Sequence, residues 1–109
     1  MPTVSVHYGP DHALDAAAFA ALAEDMAELI EQWLGPERQK IQIMPIALAH
    51  PPLGRVAYVE IKARDSDART DAVVQQFITA LDSLTQAVFG GPCRIRYTRV
   101  LGDLLVAAN

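Results

Sequence analysis

The order of two kinds of hydrophobic repeat constrains the fold of this chain of 109 residues more than any other feature. Four segments alternate apolar and polar residues with the period of two that is typical of β-strands. Two longer segments place apolar residues at the spacing typical of an amphipathic helix. Along the chain the order is strand, helix, strand, strand, helix, strand, which predicts an α+β fold.

Residues that start or stop regular structure bound these segments. Gly9-Pro10 ends the first strand, Asp15 caps the first helix, and Gly35-Pro36 ends that helix. Asp65-Ser66-Asp67 predicts a turn that caps the second helix, and Gly90-Gly91-Pro92 ends it. The predicted strands span residues 2–8, 41–48, 56–63 and 93–100, and the predicted helices span residues 15–34 and 68–89.

Each predicted helix crosses over between two strands of one sheet, which makes the chain a loose duplication of a βαβ unit. We expect a single domain, residues 1–109, that forms a two-layer βαββαβ sandwich with a four-stranded mixed sheet and both helices on one face. Two helices leave the other face open, and the tail Leu101–Ala108 adds apolar residues. Subunit association over the open face or the edges is therefore expected; the alternative is a monomer with a polar outer face.

Charge is distributed unevenly along the chain, whose net charge is −4. Residues 1–37 contain seven acids and no Lys or Arg, whereas all nine Lys and Arg residues follow from position 38 onward. An acidic chain lacks the basic surface that general nucleic-acid binding normally requires. The charge balance therefore argues against that class of function.

The cysteine and histidine content and the length of the apolar runs exclude further classes of protein. Cys93 is the only cysteine, so an internal disulfide and a multi-cysteine metal cluster are ruled out, and a core position is expected for it. The three histidines lack the spacing of metal ligands, so no metal is expected. No apolar run approaches the roughly 20 residues of a membrane span, and no secretory signal pattern is present. A cytoplasmic location is expected.

The Met1-Pro2 start is the first candidate for chemistry. Removal of Met1 before this small residue would expose Pro2 as a free secondary amine. Burial or neighbouring cations disfavour the protonated form of such an amine, which lowers its pKa and makes it a base at neutral pH. If Met1 is retained, the nitrogen is an amide and cannot act in this way.

The chain as a whole resembles the tautomerase superfamily, in particular members related to macrophage migration inhibitory factor and 5-carboxymethyl-2-hydroxymuconate isomerase. The segments that carry the resemblance are Met1-Pro2, Tyr58–Arg64 and Cys93–Tyr97. It implies a homotrimer with active sites between subunits, no cofactor, and a proline amine that moves a proton in an enol or keto acid. Asp65-Ser66-Asp67 departs from the glycine-rich turn of several members, and these acids could narrow the pocket.

The resemblance also implies roles for individual residues. Pro2 corresponds to the catalytic base, and cations correspond to the groups that hold the substrate carboxylate. Arg94 and Arg96 fall where the family places groups that reach a neighbouring subunit's pocket. The complete set of candidate substrate-binding residues is Arg94, Arg96, Lys62, Arg64, Arg38 and Lys40.

Structural roles for the same cations remain open at this point. Arg94 and Arg96 share one face of their strand, where Glu60 or acids of the next subunit could pair with them. Lys62 and Arg64 could be solvated charges at a strand end. Two further arginines, Arg69 and Arg99, are expected to be surface charges.

We therefore expect a tautomerase or isomerase acting on a small enol, keto or unsaturated carboxylic acid, with dehalogenation or decarboxylation left open. One alternative is a non-catalytic oligomeric or ligand-binding module of the same fold. Another is an RNA-recognition-like domain, since the strand order also suits that fold. This last alternative is weak, because Tyr58 is the only aromatic residue of the third strand, where base stacking needs several.

Overall fold

The computed structural model describes residues 2–108. The strands are β1 (Thr3–Tyr8), β2 (Gln42–Ala47), β3 (Ala57–Arg64) and β4 (Cys93–Val100), and the helices are α1 (Ala16–Leu34) and α2 (Asp71–Phe89). Every strand and helix predicted from the sequence is present, in the predicted order. Within the described range, no helix is both long enough and apolar enough to cross a membrane.

The ends of α1 follow the sequence prediction. The Asp15 carboxylate accepts a hydrogen bond of 2.7 Å from the Ala18 amide, which satisfies a donor that the first turn of a helix leaves free. Gly35 ends the helix with a φ of 76°, a left-handed conformation that glycine adopts without steric cost.

The predicted start of α2 is wrong by three residues. The cap is Thr70, whose hydroxyl accepts a hydrogen bond of 3.3 Å from the Val73 amide, so the helix begins at Asp71 rather than residue 68. The predicted capping turn has another role, because the Asp65 carboxylate binds Arg99 from β4 at 2.8 Å. A tertiary ion pair thus displaces the cap that the local sequence favoured.

The four strands form one sheet in the order β2-β1-β3-β4. β1 and β2 are parallel, β3 and β4 are parallel, and the central pair β1 and β3 is antiparallel. The sheet is therefore mixed, as predicted, and each half of the chain is a βαβ unit. An approximate two-fold axis through the middle of the sheet exchanges β1 with β3 and β2 with β4.

The helices pack on one face of this sheet. The side chains of β1 and β3 that point toward the helices are fully buried, as are those that α1 and α2 direct at the sheet. Burying branched and aromatic side chains of this size is the main source of stability in a domain of this length. The principal members of this core are Val4, Val6, Val59, Ile61, Leu22, Met26, Ile30, Phe77 and Leu81.

The other face of the sheet, called here the open face, carries rows of side chains that the strand registers place side by side. One row, His7, Tyr58 and Arg94, lies where β3 and β4 begin. At the opposite end, where β1 and β2 begin, the corresponding row is Gln42, Thr3, Lys62 and Thr98. We call these the far end and the Pro2 end of the sheet.

Candidate active site

Pro2 lies directly before β1, at one end of the sheet. Its side chain is among the fully buried ones, less than 2% exposed, and its carbonyl oxygen accepts a hydrogen bond of 3.1 Å from the Gln42 amide. Extending the β1–β3 register by one residue places Pro2 opposite Ala63. Burial of the ring fixes the position of Pro2 at this end of the sheet. The predicted removal of Met1 concerns a residue outside the described ones.

Four of the six candidate cations come from segments that meet at the Pro2 end. Lys62 and Arg64 belong to the last three residues of β3, which run beside the start of β1. Arg38 and Lys40 lie in the short 3-10 turn that leads into β2. The end of the sheet that carries Pro2 therefore also carries four of the six candidate cations.

Arg38 is already neutralised by two carboxylates of α1. Its Nε donates to Glu31 Oε1 at 2.8 Å, and its Nη1 donates to Glu24 Oε2 at 2.9 Å. These hydrogen bonds, with that to Glu31 contributing most, raise the pKa of the guanidinium. Arg38 is thus held by acids of its own chain, whereas Lys40 in the same turn is exposed and takes part in no ion pair within residues 2–108.

Lys62 and Arg64 are the cations that β3 contributes to this end. The Lys62 ammonium lies 3.6 Å from Glu60 Oε1, a loose contact between two solvent-accessible groups. Arg64 has no carboxylate partner in the part of the chain that the structure describes, and its methylenes run beside Gly102. Both side chains remain able to bind an external anion.

Arg69 and Arg99, expected to be surface charges, are partly exposed and form a clamp at the same end. Arg99 donates to Asp65 at 2.8 Å, to Asp71 at 2.7 Å and to the Arg69 carbonyl at 2.9 Å. The hydrogen bond to Asp65 above all, and the negative charges of Asp65 and Asp71, raise the pKa of Arg99. Of the two acids that were expected to narrow the pocket, Asp65 is therefore neutralised by Arg99 of β4.

Arg69 completes this clamp by binding main-chain oxygens. Its Nε donates to the Leu34 carbonyl at the end of α1, at 3.1 Å, and its Nη1 donates to the Arg64 carbonyl at 2.7 Å. The clamp therefore joins the end of α1, the end of β3 and the segment before α2. These hydrogen bonds hold the backbone around Arg64 in place.

Arg94 and Arg96 do not meet Pro2 within one chain. The β3–β4 register pairs Arg94 with Tyr58 and Arg96 with Glu60, five and three positions from Ala63, or about 16 and 10 Å along the strand. Only the arginines of a second copy could reach Pro2.

The suggested pairing of these arginines with Glu60 does not occur within the chain either. Glu60 is beside Lys62, and the Arg96 side chain donates to the Ile95 carbonyl at 3.0 Å. Arg94 lines a cavity at the far end together with His7, Tyr58 and Arg55. Sequence reasoning missed this group, because the cavity depends on how the β2–β3 loop folds back, for which no sequence signal was available.

The fold matches solved structures of proteins with low sequence identity. A macrophage migration inhibitory factor-like protein from Entamoeba histolytica is 12% identical, with a TM-score of 0.75 over 98% of this chain and 95% of its own. Pt0534 inactivated by 2-oxo-3-pentynoate is 18% identical, with a TM-score of 0.75 over 97% of this chain and 91% of its own. A wild-type fused 4-OT, solved as a symmetric trimer, is 20% identical, with a TM-score of 0.74 over 98% and 92%.

Sequence comparison alone gives no match: no family model fits the chain, and none of the curated proteins matches it. The similarity therefore resides in the three-dimensional arrangement, which extends over nearly the whole length of this chain and of the three proteins. The expected βαββαβ architecture is confirmed by it. The fold of this chain is that of the tautomerase superfamily.

Proposed function

We propose that this protein is a cofactor-independent tautomerase or isomerase of small enol or keto carboxylic acids, with the Pro2 amine as general base and acid after removal of Met1. The observation that carries the proposal is the position of Pro2 at the start of a central strand, beside Lys62 and Arg64 of β3. A nitrogen held there combines two properties of a proton-transfer site: a fixed position and a positive surrounding.

Positive charge beside the amine has two consequences for the chemistry. It disfavours the protonated amine, so the pKa falls below the ordinary value of about 8 and more of the amine is neutral at pH 7. It also attracts the substrate carboxylate, for which the guanidinium of Arg64 offers two parallel hydrogen bonds. The substrate's enol then lies next to the nitrogen.

The reaction moves one proton from oxygen to carbon of the substrate and leaves the atomic composition of the substrate unchanged. The neutral amine accepts the enol hydroxyl proton while the carbonyl forms, and the resulting ammonium delivers a proton to the adjacent carbon of the conjugated system. The cations stabilise the negative charge that develops on the substrate between these two steps. The amine is neutral again at the end.

A homotrimer with sites between subunits belongs to the same proposal. The similar fused 4-OT forms a symmetric trimer, and this chain leaves apolar tail residues exposed, among them Leu104 at 72% and Val106 at 96%. In such an assembly Arg94 and Arg96 of one copy would approach the Pro2 end of another. They would then supplement Lys62, Arg64 and Lys40 as carboxylate ligands.

The decisive assay uses protein whose loss of Met1 is verified by intact mass. Ketonisation of 2-hydroxymuconate or of phenylpyruvate enol should be catalysed, and Pro2→Ala should lower kcat by about tenfold or more because a primary amine replaces the ring nitrogen. In a form with one additional residue before Pro2 the nitrogen is an amide, so this extended form should be inactive although its fold is intact. Equal kcat in all three forms would remove Pro2 from the mechanism.

A covalent label locates the nucleophile independently of turnover. The similar protein Pt0534 is inactivated by 2-oxo-3-pentynoate, an electron-poor alkyne that an amine attacks. The amine would form one C–N bond, one π bond of the alkyne would be lost, and the amine proton would pass to carbon. The N-terminal peptide should therefore gain the whole mass of the reagent, and the extended form should not.

Substitution of single cations tests which group holds the carboxylate. Arg64→Gln should raise KM about tenfold with a smaller change in kcat, because it removes a charged hydrogen bond to the substrate. Arg38→Gln is the matched comparison, since this guanidinium at the same end is already bound by Glu24 and Glu31. A larger KM effect from Arg38→Gln than from Arg64→Gln would contradict the assignment.

A further inference from the structure

A second cavity at the far end of the sheet lies between the turn after β1 and the loop that connects β2 with β3. Its volume is about 190 Å³. The turn contributes Asp11 and His12 to its lining, and the loop contributes Pro51, Pro52, Arg55 and Val56. All of these residues lie outside the four strands.

This cavity differs from the one that Arg94 lines. The Arg94 cavity also includes His7 and Tyr58 from the open face of the sheet, whereas within the described chain no strand residue lines the second cavity. Pro52 and Arg55 line both, so the β2–β3 loop is their common wall. A ligand of the second cavity therefore does not require the arginines that the proposed trimer brings to a neighbouring Pro2 end.

The loop is held in place against the end of β1. Its first residue, Leu48, donates a hydrogen bond of 2.8 Å from its amide to the Tyr8 carbonyl. A Cβ added to Gly9 would lie 2.8 Å from Pro52 Cδ, so the loop and the turn approach each other as closely as glycine permits. Because the two walls are already packed together, little conformational freedom is lost when a ligand binds between them.

Opposite charges face this cavity without forming an ion pair. Asp11 comes from the turn and Arg55 from the loop, and among residues 2–108 neither takes part in a salt bridge. Both residues are exposed, and an ion pair between two exposed groups contributes little to stability. Asp11 can therefore accept hydrogen bonds from a ligand, and Arg55 can donate two parallel ones.

A ligand that satisfies both groups carries an ammonium and a carboxylate. An α-amino acid has these two groups on one carbon atom, so its ammonium can bind Asp11 while its carboxylate binds Arg55. The neutral imidazole of His12 can add a hydrogen bond to either group, because one of its ring nitrogens donates and the other accepts. A ligand with a single charge leaves Asp11 or Arg55 without a partner.

The apolar part of the lining limits the side chain of this amino acid. Pro51, Pro52 and Val56 contribute apolar surface. A cavity of about 150 Å³ is known to hold benzene, so a cavity of about 190 Å³ suits a slightly larger molecule. Valine meets this limit, and an aromatic amino acid exceeds it.

We propose that the cavity between the turn after β1 and the β2–β3 loop binds a free α-amino acid with a small aliphatic side chain, through Asp11 and Arg55. The test is a titration of the isotopically labelled protein with L-valine, followed by the backbone amide signals. Signals of Asp11, His12 and Gly54 should shift in a saturable manner. Isovalerate lacks the ammonium and isobutylamine lacks the carboxylate, so each should bind at least about tenfold more weakly than valine.

Substitutions on the two sides of the cavity test both charges. Arg55→Gln and Asp11→Asn should each weaken valine binding about tenfold, as expected for loss of a charged hydrogen bond. Asp25→Asn is the matched control for Asp11→Asn, since it removes the charge of an exposed aspartate of α1 that forms no ion pair within the described residues. It should change the affinity less than twofold, and a loss equal to that of Asp11→Asn would contradict the assignment.

Two further forms distinguish this site from the proposed active site. Arg94→Gln alters the other cavity, and the form with one additional residue before Pro2 has no free amine; both should bind valine with an affinity changed less than twofold. Loss of binding in either form, shifts confined to Lys62 and Arg64, or the absence of a saturable shift would each overturn the proposal. Because no turnover is measured, the result does not depend on whether the protein is a tautomerase.

Discussion

Arginine residues of this chain divide into two groups according to whether the chain itself neutralises them. Arg38 and Arg99 each bind two carboxylates, whereas Arg64 and Arg94 bind none in the described part of the chain. Only the second group has its hydrogen-bond donors free for a ligand. The sequence could not show this division, because the acids that bind an arginine lie in a different structural element from that arginine.

Pro2 illustrates the opposite case, since its position could be predicted from the sequence. The alternation of buried and exposed side chains in β1 extends back to Pro2 and fixes both its face and its end of the sheet. What could not be predicted was the separation of Arg94 from Pro2, because that depends on the register of β4 against β3. The candidate cations therefore lie at two ends of the sheet, Lys62 and Arg64 at the Pro2 end and Arg94 at the far end.

Cys93 provides a prediction at the scale of one residue. Burial raises the pKa of its thiol, and the thiol lies within hydrogen-bond distance, 3.5 Å, of the Gly91 carbonyl. Because the thiolate is the reactive form, less of it is present at a given pH than for an exposed cysteine. The rate of alkylation by iodoacetamide should therefore rise with a midpoint above that of the same chain unfolded in urea. A midpoint at or below the unfolded value would contradict this assignment.

The helices and strands themselves were predictable to within three residues at each end. Hydrophobic periodicity and the glycines after each helix determine them, and both are local signals. The exception is the start of α2, where four potential capping residues follow in close succession: Asp65, Ser66, Asp67 and Thr70. Local preference cannot choose among them, and the ion pair of Asp65 with Arg99 decides the matter.

The capping assignment leads to a prediction at the scale of the element. Thr70→Ala should lower the free energy of unfolding by about 1 kcal/mol, since it removes the acceptor for the Val73 amide. Asp67→Ala is the matched control and should change stability by less than about 0.5 kcal/mol, because it removes an exposed residue of the turn. Urea denaturation measures both. If Asp67→Ala lowers the free energy of unfolding as much as Thr70→Ala does, the earlier helix cap expected from the sequence is supported instead.

At the scale of the whole molecule, the duplicated βαβ unit gives the sheet two equivalent ends that differ in chemistry. The Pro2 end has a buried proline and the clamp formed by Arg69 and Arg99, and the far end has a cavity lined by Arg55 and Arg94. The sequence predicted the duplication but not this difference. The conformation of the β2–β3 loop and the tertiary ion pairs create it, and neither follows from a local pattern.

The assembly of the molecule depends on surface that the helices leave uncovered. Ile46 at the edge strand and Leu101, Leu104 and Val106 of the tail are exposed apolar residues. A chain of 109 residues rarely leaves so many apolar side chains in water without a partner. The proposed homotrimer would cover these side chains with two further copies of the chain.

The double variant Leu104→Glu/Val106→Glu should therefore shift the protein from trimer toward monomer, because a charged group buried at an interface without a partner is strongly unfavourable. Light scattering across a concentration series measures the change. Leu53→Glu/Ala49→Glu adds the same charge in the exposed β2–β3 loop and should leave the mass unaltered. If both variants dissociate equally, general charge repulsion explains the result and the tail is not at the interface. If neither changes the mass, the exposed apolar tail has no part in assembly.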